Sequence, residues 1–244
     1  MRTFGWALIA AGLGLAAIYG LQRGMGLALL GLAVEPATVI AAARAPAPVP
    51  AERPFRLLLL GTSLSAQGQW PRELERRLSA CRPGGVTLER LARSGANSAW
   101  GASALAARLG AGAADRPPPD LILAEFSIND TSLWRGMRLA QSRARHDEIL
   151  ATAGQVPVWL VTMSPAFGRD AWERPGQVAY RALYADLARE RGAGVIPTIA
   201  PWLALPPAER RISMPDNLHP TDAAVIALTV PLLEQALRPV ICPD

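Results

Sequence analysis

The chain has 244 residues, of which 50% are hydrophobic, and its 25 basic side chains outnumber its 20 acidic ones. Every basic residue is arginine, which excludes Schiff-base enzymes, pyridoxal-phosphate enzymes and P-loop nucleotide binders, because each class needs a lysine. Two cysteines are too few for a disulfide-rich scaffold. The net charge is only +5, and the arginines are scattered along the sequence with acidic residues close by, which disfavours a nucleic-acid-binding face.

The chain begins with an uncharged apolar segment over residues 3–21. Its 19 residues, at about 1.5 Å each, nearly span a hydrocarbon core of roughly 30 Å. A second apolar stretch, 24–34, is too short to span alone. We therefore expect residues 1–43 to be an uncleaved membrane anchor that crosses once, with the second stretch lying at the interface.

Three other interpretations of this segment fit less well. A cleaved signal peptide needs small residues soon after its apolar core, and the only convincing run, 41–43, lies too far downstream. A two-helix hairpin would need its turn at 22–24 and would carry Glu35 in the second helix. A buried helix of a soluble protein is disfavoured because the segment has no polar face.

Residues 44–54 contain four prolines, three of them at the alternate positions 46, 48 and 50. Such a pattern disfavours helix and favours an extended polyproline II spacer. We place the domain boundary in this linker, so that residues 55–244 are expected to form one globular domain.

Strand and helix signals alternate through this domain. Apolar runs predict strands over 55–60, 86–92, 121–126, 156–162 and 195–199. Helical spacing of apolar residues predicts helices over 69–80, 98–109, 132–153, 177–190 and 222–237. The alternation predicts a three-layer α/β fold with a parallel sheet of five strands. Ligands of such folds bind beyond the carboxyl ends of the strands.

Polar residues follow several of the predicted strands. Ser63 follows the first strand, Gly95 the second and Asn129 the third, while Asp216 and His219 precede the last helix. Taken alone, each is typical of a turn or a helix cap. Since all of them face the same crevice, we interpret them as parts of one site.

Together these residues supply the parts of acyl-transfer catalysis. Ser63 is the expected nucleophile, His219 the general base and then general acid, and Asp216 the group that fixes the imidazole tautomer. The backbone N–H groups of Ser63 and Gly95 and the side-chain amide of Asn129 are the expected oxyanion donors. The G-x-S-x-G elbow of α/β-hydrolases is absent, because Ser63 lies in Gly-Thr-Ser-Leu-Ser.

These motifs resemble, in order, the blocks of the SGNH/GDSL hydrolase family. The stretch 61–64 resembles the first block, G-D-S-L, with Thr62 in place of Asp, and Gly95 with Asn97 resembles the second block. The stretch 127–130 resembles the third block, G-x-N-D, with Ser127 in place of Gly, and the stretch 216–219 matches the fifth block, D-x-x-H. The resemblance runs from about residue 55 to residue 237 and implies a flavodoxin-like three-layer α/β/α sandwich, no cofactor, and esterase, lipase, thioesterase or carbohydrate-deacetylase activity.

Three further residues have a possible role in the expected crevice, whereas His146 and the other tryptophans are expected to lie outside it. Asn97, Trp134 and Met163 follow predicted strands and are candidates to line the substrate site. His146 lies between charged residues in the predicted helix 132–153, so we expect a solvated side chain. The remaining tryptophans of the domain are expected to pack in the core or at its edges.

Cys81 and Cys242 lie just past the first and the last predicted helix. In the flavodoxin-like order these helices pack side by side and run away from the catalytic rim, so their ends are neighbours. We predict a disulfide between them, the alternative being two free thiols. A disulfide would indicate an oxidising compartment, in agreement with a membrane anchor and an extracytoplasmic, periplasmic domain.

The sequence therefore predicts a membrane-anchored serine esterase. The preferred substrate is an O-acetyl ester on a cell-envelope or exported polysaccharide, because a tethered extracytoplasmic esterase meets such polymers. The alternatives are a lysophospholipase or thioesterase, an O-acetyltransferase, and a non-catalytic assembly module that keeps the fold.

Overall fold

The computed structural model describes residues 17–18, 20–22, 24–26, 33–110 and 116–242. Most of the apolar segment 3–21, and with it the expected membrane crossing, lies outside the described residues. Within the described ranges no single helix is long and apolar enough to span a membrane. The two helices 222–228 and 230–241 meet that test only as a pair, with a bend of 48° between them.

The domain alternates strands and helices from residue 55 onward. The strands are β1 (Phe55–Gly61), β2 (Val86–Ala92), β3 (Leu121–Glu125), β4 (Val158–Val161) and β5 (Gly194–Ile196). The helices are α1 (Ser63–Ala66), α2 (Trp70–Ser79), α3 (Ser98–Leu109), α4 (Ser127–Asp130), α5 (Leu139–Ala153), α6 (Gly168–Trp172), α7 (Gln177–Arg191), α8 (Ala200–Ala204), α9 (Pro207–Ser213), α10 (Asp222–Leu228) and α11 (Val230–Ile241).

The strands form one parallel sheet in the order β2-β1-β3-β4-β5, which confirms the predicted five-stranded parallel sheet. Leu57 and Leu59 of β1 pack in the core on one face, and Leu58 and Leu60 pack in the core on the other, because successive side chains of a strand point to opposite faces. Helices cover both faces, so the run from Leu57 to Leu60 is apolar at every position rather than at alternate ones.

Two predicted helices differ from the structure. The helix predicted over 132–153 begins only at Leu139, because residues 131–138 form a tight loop. In that loop a Cβ on Gly136 would lie 2.2 Å from the carbonyl oxygen of Asp130. The helix predicted over 222–237 is divided between α10 and α11, since Pro231 has no N–H with which to continue the first helix. The short helices α6, α8 and α9 were not predicted.

Residues 33–54 lie along the surface of the domain. Ile40 forms an antiparallel bridge with Val195 of β5, and the carboxylate of Glu35 is 2.5 Å from the guanidinium of Arg181 on α7. The chain before the sheet is thus attached to the β5 side of the domain by hydrogen bonds and an ion pair.

Cys81 and Cys242 are joined by a disulfide, with their Cα atoms 5.5 Å apart. The bond links the ends of α2 and α11 across a sequence separation of 161 residues, for which the chain-entropy model gives a stabilisation of roughly 5 kcal/mol. The buried Arg82 reinforces the same corner by donating to the carbonyl oxygens of Ile241 and Val49.

Candidate active site

A chain of hydrogen bonds connects three polar side chains at the carboxyl edge of the sheet. Ser63 Oγ lies 3.0 Å from His219 Nε2, and His219 Nδ1 lies 2.8 Å from Asp216 Oδ2. The structure thus brings together the three residues that the sequence proposes as nucleophile, base and orienting acid. The distances permit proton transfer from the serine hydroxyl to the imidazole.

The nucleophile turn is set by residues 61–65. Thr62 caps α1 by accepting a hydrogen bond from the N–H of Leu64, which leaves Ser63 as the first helical residue after β1. Gly61 permits the approach of the neighbouring strand, because a Cβ at this position would lie 2.3 Å from a carboxyl oxygen of Glu125. Ser63 is consequently presented at the start of a short helix on a closely packed strand end.

The His219 loop, residues 215–220, is shaped by local hydrogen bonds. Asp216 Oδ1 accepts from the backbone N–H groups of Leu218 and His219. Asn217 has a φ of 63°, a left-handed conformation that asparagine tolerates better than most residues. Its carbonyl oxygen accepts from the N–H of Phe167, so the loop is attached to the segment after β4.

The charge of Asp216 suits the orienting role. Partial burial opposes ionisation, but hydrogen bonds from the backbone and ring of His219 and from the backbone of Leu218 outweigh it and hold the pKa of Asp216 below its ordinary value. An ionised Asp216 accepts from His219 Nδ1–H, which leaves the lone pair of Nε2 directed at Ser63.

The expected oxyanion donors come from adjacent strand ends. Because β1 lies between β2 and β3, Ser63 lies between the loop that contains Gly95 and the turn that contains Asn129. Asn129 Nδ2 donates one hydrogen bond to the carbonyl oxygen of Ala96 at 2.8 Å, which fixes the amide and leaves its second N–H available. Gly95 has a φ of 73°, a conformation that favours glycine.

Glu125, at the end of β3, is a residue of the site that the sequence analysis missed. Its carboxyl group is buried and accepts from the backbone N–H of Thr62 at 2.6 Å, from the Thr62 hydroxyl at 2.9 Å and from the Ser65 hydroxyl at 2.7 Å. Burial, together with the charge of Asp130, raises the pKa of Glu125 to about 7, although these hydrogen bonds act in the opposite direction. The sequence signal that marks Glu125 is its position as the lone acid in the apolar run 121–126.

Asp130 anchors the turn that carries Asn129. Its buried carboxylate accepts from the N–H and hydroxyl of Ser98, at 2.8 and 2.7 Å, and from the hydroxyl of Ser142 at 2.5 Å. The α4 turn is thereby fixed to the first turn of α3 and to α5. This arrangement determines where the Asn129 amide points.

His146 is fully buried, so the prediction of a solvated side chain was wrong. Its Nδ1 lies 2.8 Å from the carbonyl oxygen of Ser142, and its ring meets Tyr184 edge-on. The charged residues that flank His146 in sequence point elsewhere because a helix turns about 100° per residue. His146 shares the buried face of α5 with Ser142, Ile149 and Ala153, and its ring has no contact with the Ser63 cavity.

A small open cavity of about 220 Å³ lies beside Ser63 and His219. The residues that line it are Ser63, Leu64, Gln67, Gly68, Trp70, His219, Pro220, Asp222 and Val225. Asn97, Trp134 and Met163, the candidates for substrate lining, are not among them. Asn97 caps α3, Trp134 is 78% exposed on the 131–138 loop, and Met163 is buried in the core.

Several tryptophans of the domain pack in the core, but one of those expected to pack does not. Trp159 and Trp202 are buried in the core, as the sequence predicts, and so is Trp70. Trp172, at the end of α6, is instead 83% exposed. Its expected packing role is therefore wrong, because α6 is a single turn with no buried residue.

Comparisons with known proteins show the family and the fold of this chain. The model of the GDSL-like Lipase/Acylhydrolase family matches residues 58–225, and no curated protein matches the sequence. A lipase/acylhydrolase from Enterococcus faecalis has a similar structure, with a TM-score of 0.63 and 19% identity over 78% of this chain and 98% of that one.

Two further solved structures share the fold. TesA aligns with a TM-score of 0.55 and 24% identity, over 76% of this chain and 99% of its own. Axe2, an acetylxylan esterase from Geobacillus stearothermophilus, aligns with a TM-score of 0.57 and 18% identity, over 84% of this chain and 97% of its own.

Proposed function

We propose that this chain, which belongs to the GDSL-like lipase/acylhydrolase family and is a carboxylic ester hydrolase, removes acetyl groups from a polysaccharide. Ser63 is the proposed nucleophile. The observation that carries the proposed mechanism is the hydrogen bond of 3.0 Å between Ser63 Oγ and His219 Nε2, continued to Asp216.

In the proposed reaction Ser63 Oγ attacks the ester carbonyl carbon while its proton passes to His219 Nε2. The oxyanion is bound by the N–H groups of Ser63 and Gly95 and by the free N–H of the Asn129 amide. The tetrahedral intermediate collapses, the bond to the alcohol oxygen breaks, and the alcohol leaves with the proton from His219. Water then attacks the acyl-enzyme by the same route, releasing the acid and restoring Ser63.

Two observations support a small acyl group. The cavity beside Ser63 has a volume of about 220 Å³, which suits acetyl better than a long acyl chain, since long chains need a deep apolar tunnel. The fold is shared with an acetylxylan esterase. An open site of this kind admits a sugar polymer from the surface.

We also propose that the domain is tethered to a membrane and acts outside the cytoplasm. The uncharged segment 3–21 has the composition of a membrane anchor. The Cys81–Cys242 disulfide supports an oxidising compartment, where such bonds persist. An acetylated polymer of the cell envelope or an exported polysaccharide is the substrate that this location offers.

The test is to assay the full chain with p-nitrophenyl acetate, p-nitrophenyl palmitate and an acetylated xylan. We expect acetate release from the first and third substrates, loss of both activities in Ser63→Ala, and normal activity in Ser103→Ala, a matched control on the exposed face of α3. Equal turnover by Ser63→Ala would overturn the mechanism.

Other outcomes would replace the proposed substrate. Preference for the palmitate ester would indicate a lysophospholipase or thioesterase. Acetyl transfer to added sugars in preference to water would indicate an acetyltransferase. Failure to react with a fluorophosphonate, together with no turnover, would indicate a non-catalytic module.

A further inference from the structure

Two arginines flank Gly95, the expected oxyanion residue of the β2 side. The guanidinium of Arg135 lies over this glycine, with Nη1 2.9 Å from the position that a Cβ on Gly95 would occupy. Arg93 precedes Gly95 by two residues, and its guanidinium lies over the ring of Trp100, 4.9 Å from the centroid. We call Arg93 and Arg135 the arginine rim.

The arginine rim carries charge that the fold does not neutralise. Among the residues that the structure describes, neither guanidinium takes part in an ion pair, and both side chains are exposed. By contrast, Arg169 and Arg174 of the neighbouring 168–174 segment pair with Glu173 and Asp170. A guanidinium without an acidic partner keeps its paired N–H donors free for an external oxyanion.

The backbone that presents Arg135 is fixed. The carbonyl oxygen of Arg135 accepts from Asn97 Nδ2 at 2.9 Å. The backbone N–H of Leu133 donates to the carbonyl oxygen of Glu173 at 2.8 Å, and that of Met137 donates to the carbonyl oxygen of Asp130 at 2.9 Å. These bonds tie the 131–138 loop to α3, to the residue after α6 and to α4. The side chain of Arg135 is therefore directed from a defined position beside the site.

The arginine rim adjoins the cavity beside Ser63, called the acyl cavity below, but does not line it. Gln67, a wall of the cavity, donates to the hydroxyl of Ser94, which lies between Arg93 and Gly95. We place the acetyl group of the ester in the cavity and its alcohol portion over the rim, because the Gln67–Ser94 hydrogen bond joins these two regions. Trp134, which precedes Arg135 in the 131–138 loop, is an exposed apolar side chain.

We propose that the arginine rim binds a carboxylate on the sugar that carries the acetyl ester, so that the substrate is an acetylated acidic polysaccharide. This inference rests on the proposed esterase function. Arginine suits the role because its planar fork donates two parallel hydrogen bonds to a carboxylate. The rim contributes binding energy on the alcohol side of the ester, and the acyl cavity selects the small acyl group.

The test compares two matched substrates, a mono-acetylated methyl glucuronide and the corresponding methyl glucoside, with the full-length protein. We expect wild type to prefer the glucuronide and the preference to weaken as salt is raised, since salt screens exposed charges. In Arg135→Ala, kcat/KM for the glucuronide should fall about 10- to 100-fold, mainly through KM, with a much smaller loss for the glucoside. Arg93→Ala should act in the same direction, and Arg135→Lys should retain part of the preference.

Arg145→Ala is the matched control, because Arg145 is an exposed arginine of α5 paired with Glu148. This control should keep the preference of wild type. Equal losses for both sugars in Arg135→Ala, or no preference in wild type, would overturn the proposal. So would Arg135-dependent cleavage of lysophosphatidylglycerol in place of the glucuronide.

The proposed function is tested separately by Ser63→Ala. Loss of turnover on both sugars in that variant, together with equal kinetics of wild type and Arg135→Ala, would refute the arginine rim and leave the esterase intact.

Discussion

Two carboxyl groups support the reacting side chains, and their surroundings are opposite. Glu125 is 1% exposed and holds the nucleophile turn from a neighbouring strand. The side chain of Asp216 is 57% exposed and holds His219 from three residues away in the same loop. Burial raises the pKa of Glu125 to about 7. In Asp216 the hydrogen bonds from His219 and Leu218 overcome the effect of partial burial and lower the pKa.

This comparison shows that the two halves of the site depend on the fold in different ways. The nucleophile turn is positioned by long-range contacts between β1 and β3, so damage to Glu125 should appear first as lost stability. The His219 ring is oriented by Asp216, three residues away in the same loop, and a backbone hydrogen bond from Phe167 attaches that loop to the domain. Damage to Asp216 should therefore appear as lost catalysis in a folded protein.

The largest effect is expected for His219→Ala. The variant removes the group that lies 3.0 Å from Ser63 Oγ, and kcat for p-nitrophenyl acetate should fall about 10⁴-fold or more. The melting temperature should change by only a few degrees, because the ring is partly exposed. Retention of a tenth of the wild-type kcat would contradict the role of His219.

A somewhat smaller effect is expected for Asp216→Asn. The amide keeps an oxygen for the backbone N–H groups of Leu218 and His219 but loses the charge that stabilises the imidazolium, so kcat should fall about 10³- to 10⁴-fold. Asp186→Asn, on the surface of α7, is the control and should behave as wild type. If Asp216→Asn lost stability rather than kcat, the carboxylate would be needed to fold the loop and not to orient His219.

Glu125→Leu should act on stability. It leaves the Thr62 N–H and the hydroxyls of Thr62 and Ser65 without their buried acceptor, which should lower the free energy of unfolding by roughly 3 kcal/mol or more. Glu125→Gln keeps one acceptor oxygen, so its free energy of unfolding should fall less than that of Glu125→Leu. Urea unfolding followed by circular dichroism measures both, and equal stability of Glu125→Leu and wild type would refute the long-range support of the turn.

The pH dependence of stability should separate the two carboxyls. The pKa of Glu125 is raised from 4.5 to about 7 in the fold, so the unfolded chain ionises first as pH rises. Relative to Glu125→Gln, wild type should lose about 3 kcal/mol of stability between pH 4.5 and 7. Asp216 has a lowered pKa and should act with the opposite sign, losing its contribution as pH falls below its ordinary pKa. A flat difference between wild type and Glu125→Gln would show that Glu125 is not protonated in the fold.

The sheet and the convergence of the polar residues were predictable from the sequence. The leucines of β1 are buried on both faces, so their uninterrupted run identifies the central strand. Parallel strands end at one edge, which is why Ser63, Asn129 and the loop of His219 meet there. The apolar pattern of the strands and their order along the chain are therefore sufficient to predict the sheet and the edge at which the site lies.

The buried contacts that hold the site residues in place, and the loop conformation beside them, were not predictable from the same patterns. A single acid in an apolar strand has no assigned partner until β1 and β3 are in register, so Glu125 could not be connected to Thr62 and Ser65. His146 was misjudged because its neighbours in sequence are charged, whereas its neighbours on the helix face are buried. Arg135 was overlooked because the 131–138 loop was predicted as helix, which would have directed it elsewhere.

The central claim is that Ser63 forms a covalent acyl intermediate with the help of His219. The most direct measurement is mass spectrometry of the full chain after reaction with a fluorophosphonate, followed by peptide mapping. We expect one adduct, on Ser63, which is absent in Ser63→Ala and forms much more slowly in His219→Ala. An adduct on a different side chain, or undiminished labelling of Ser63→Ala, would contradict it.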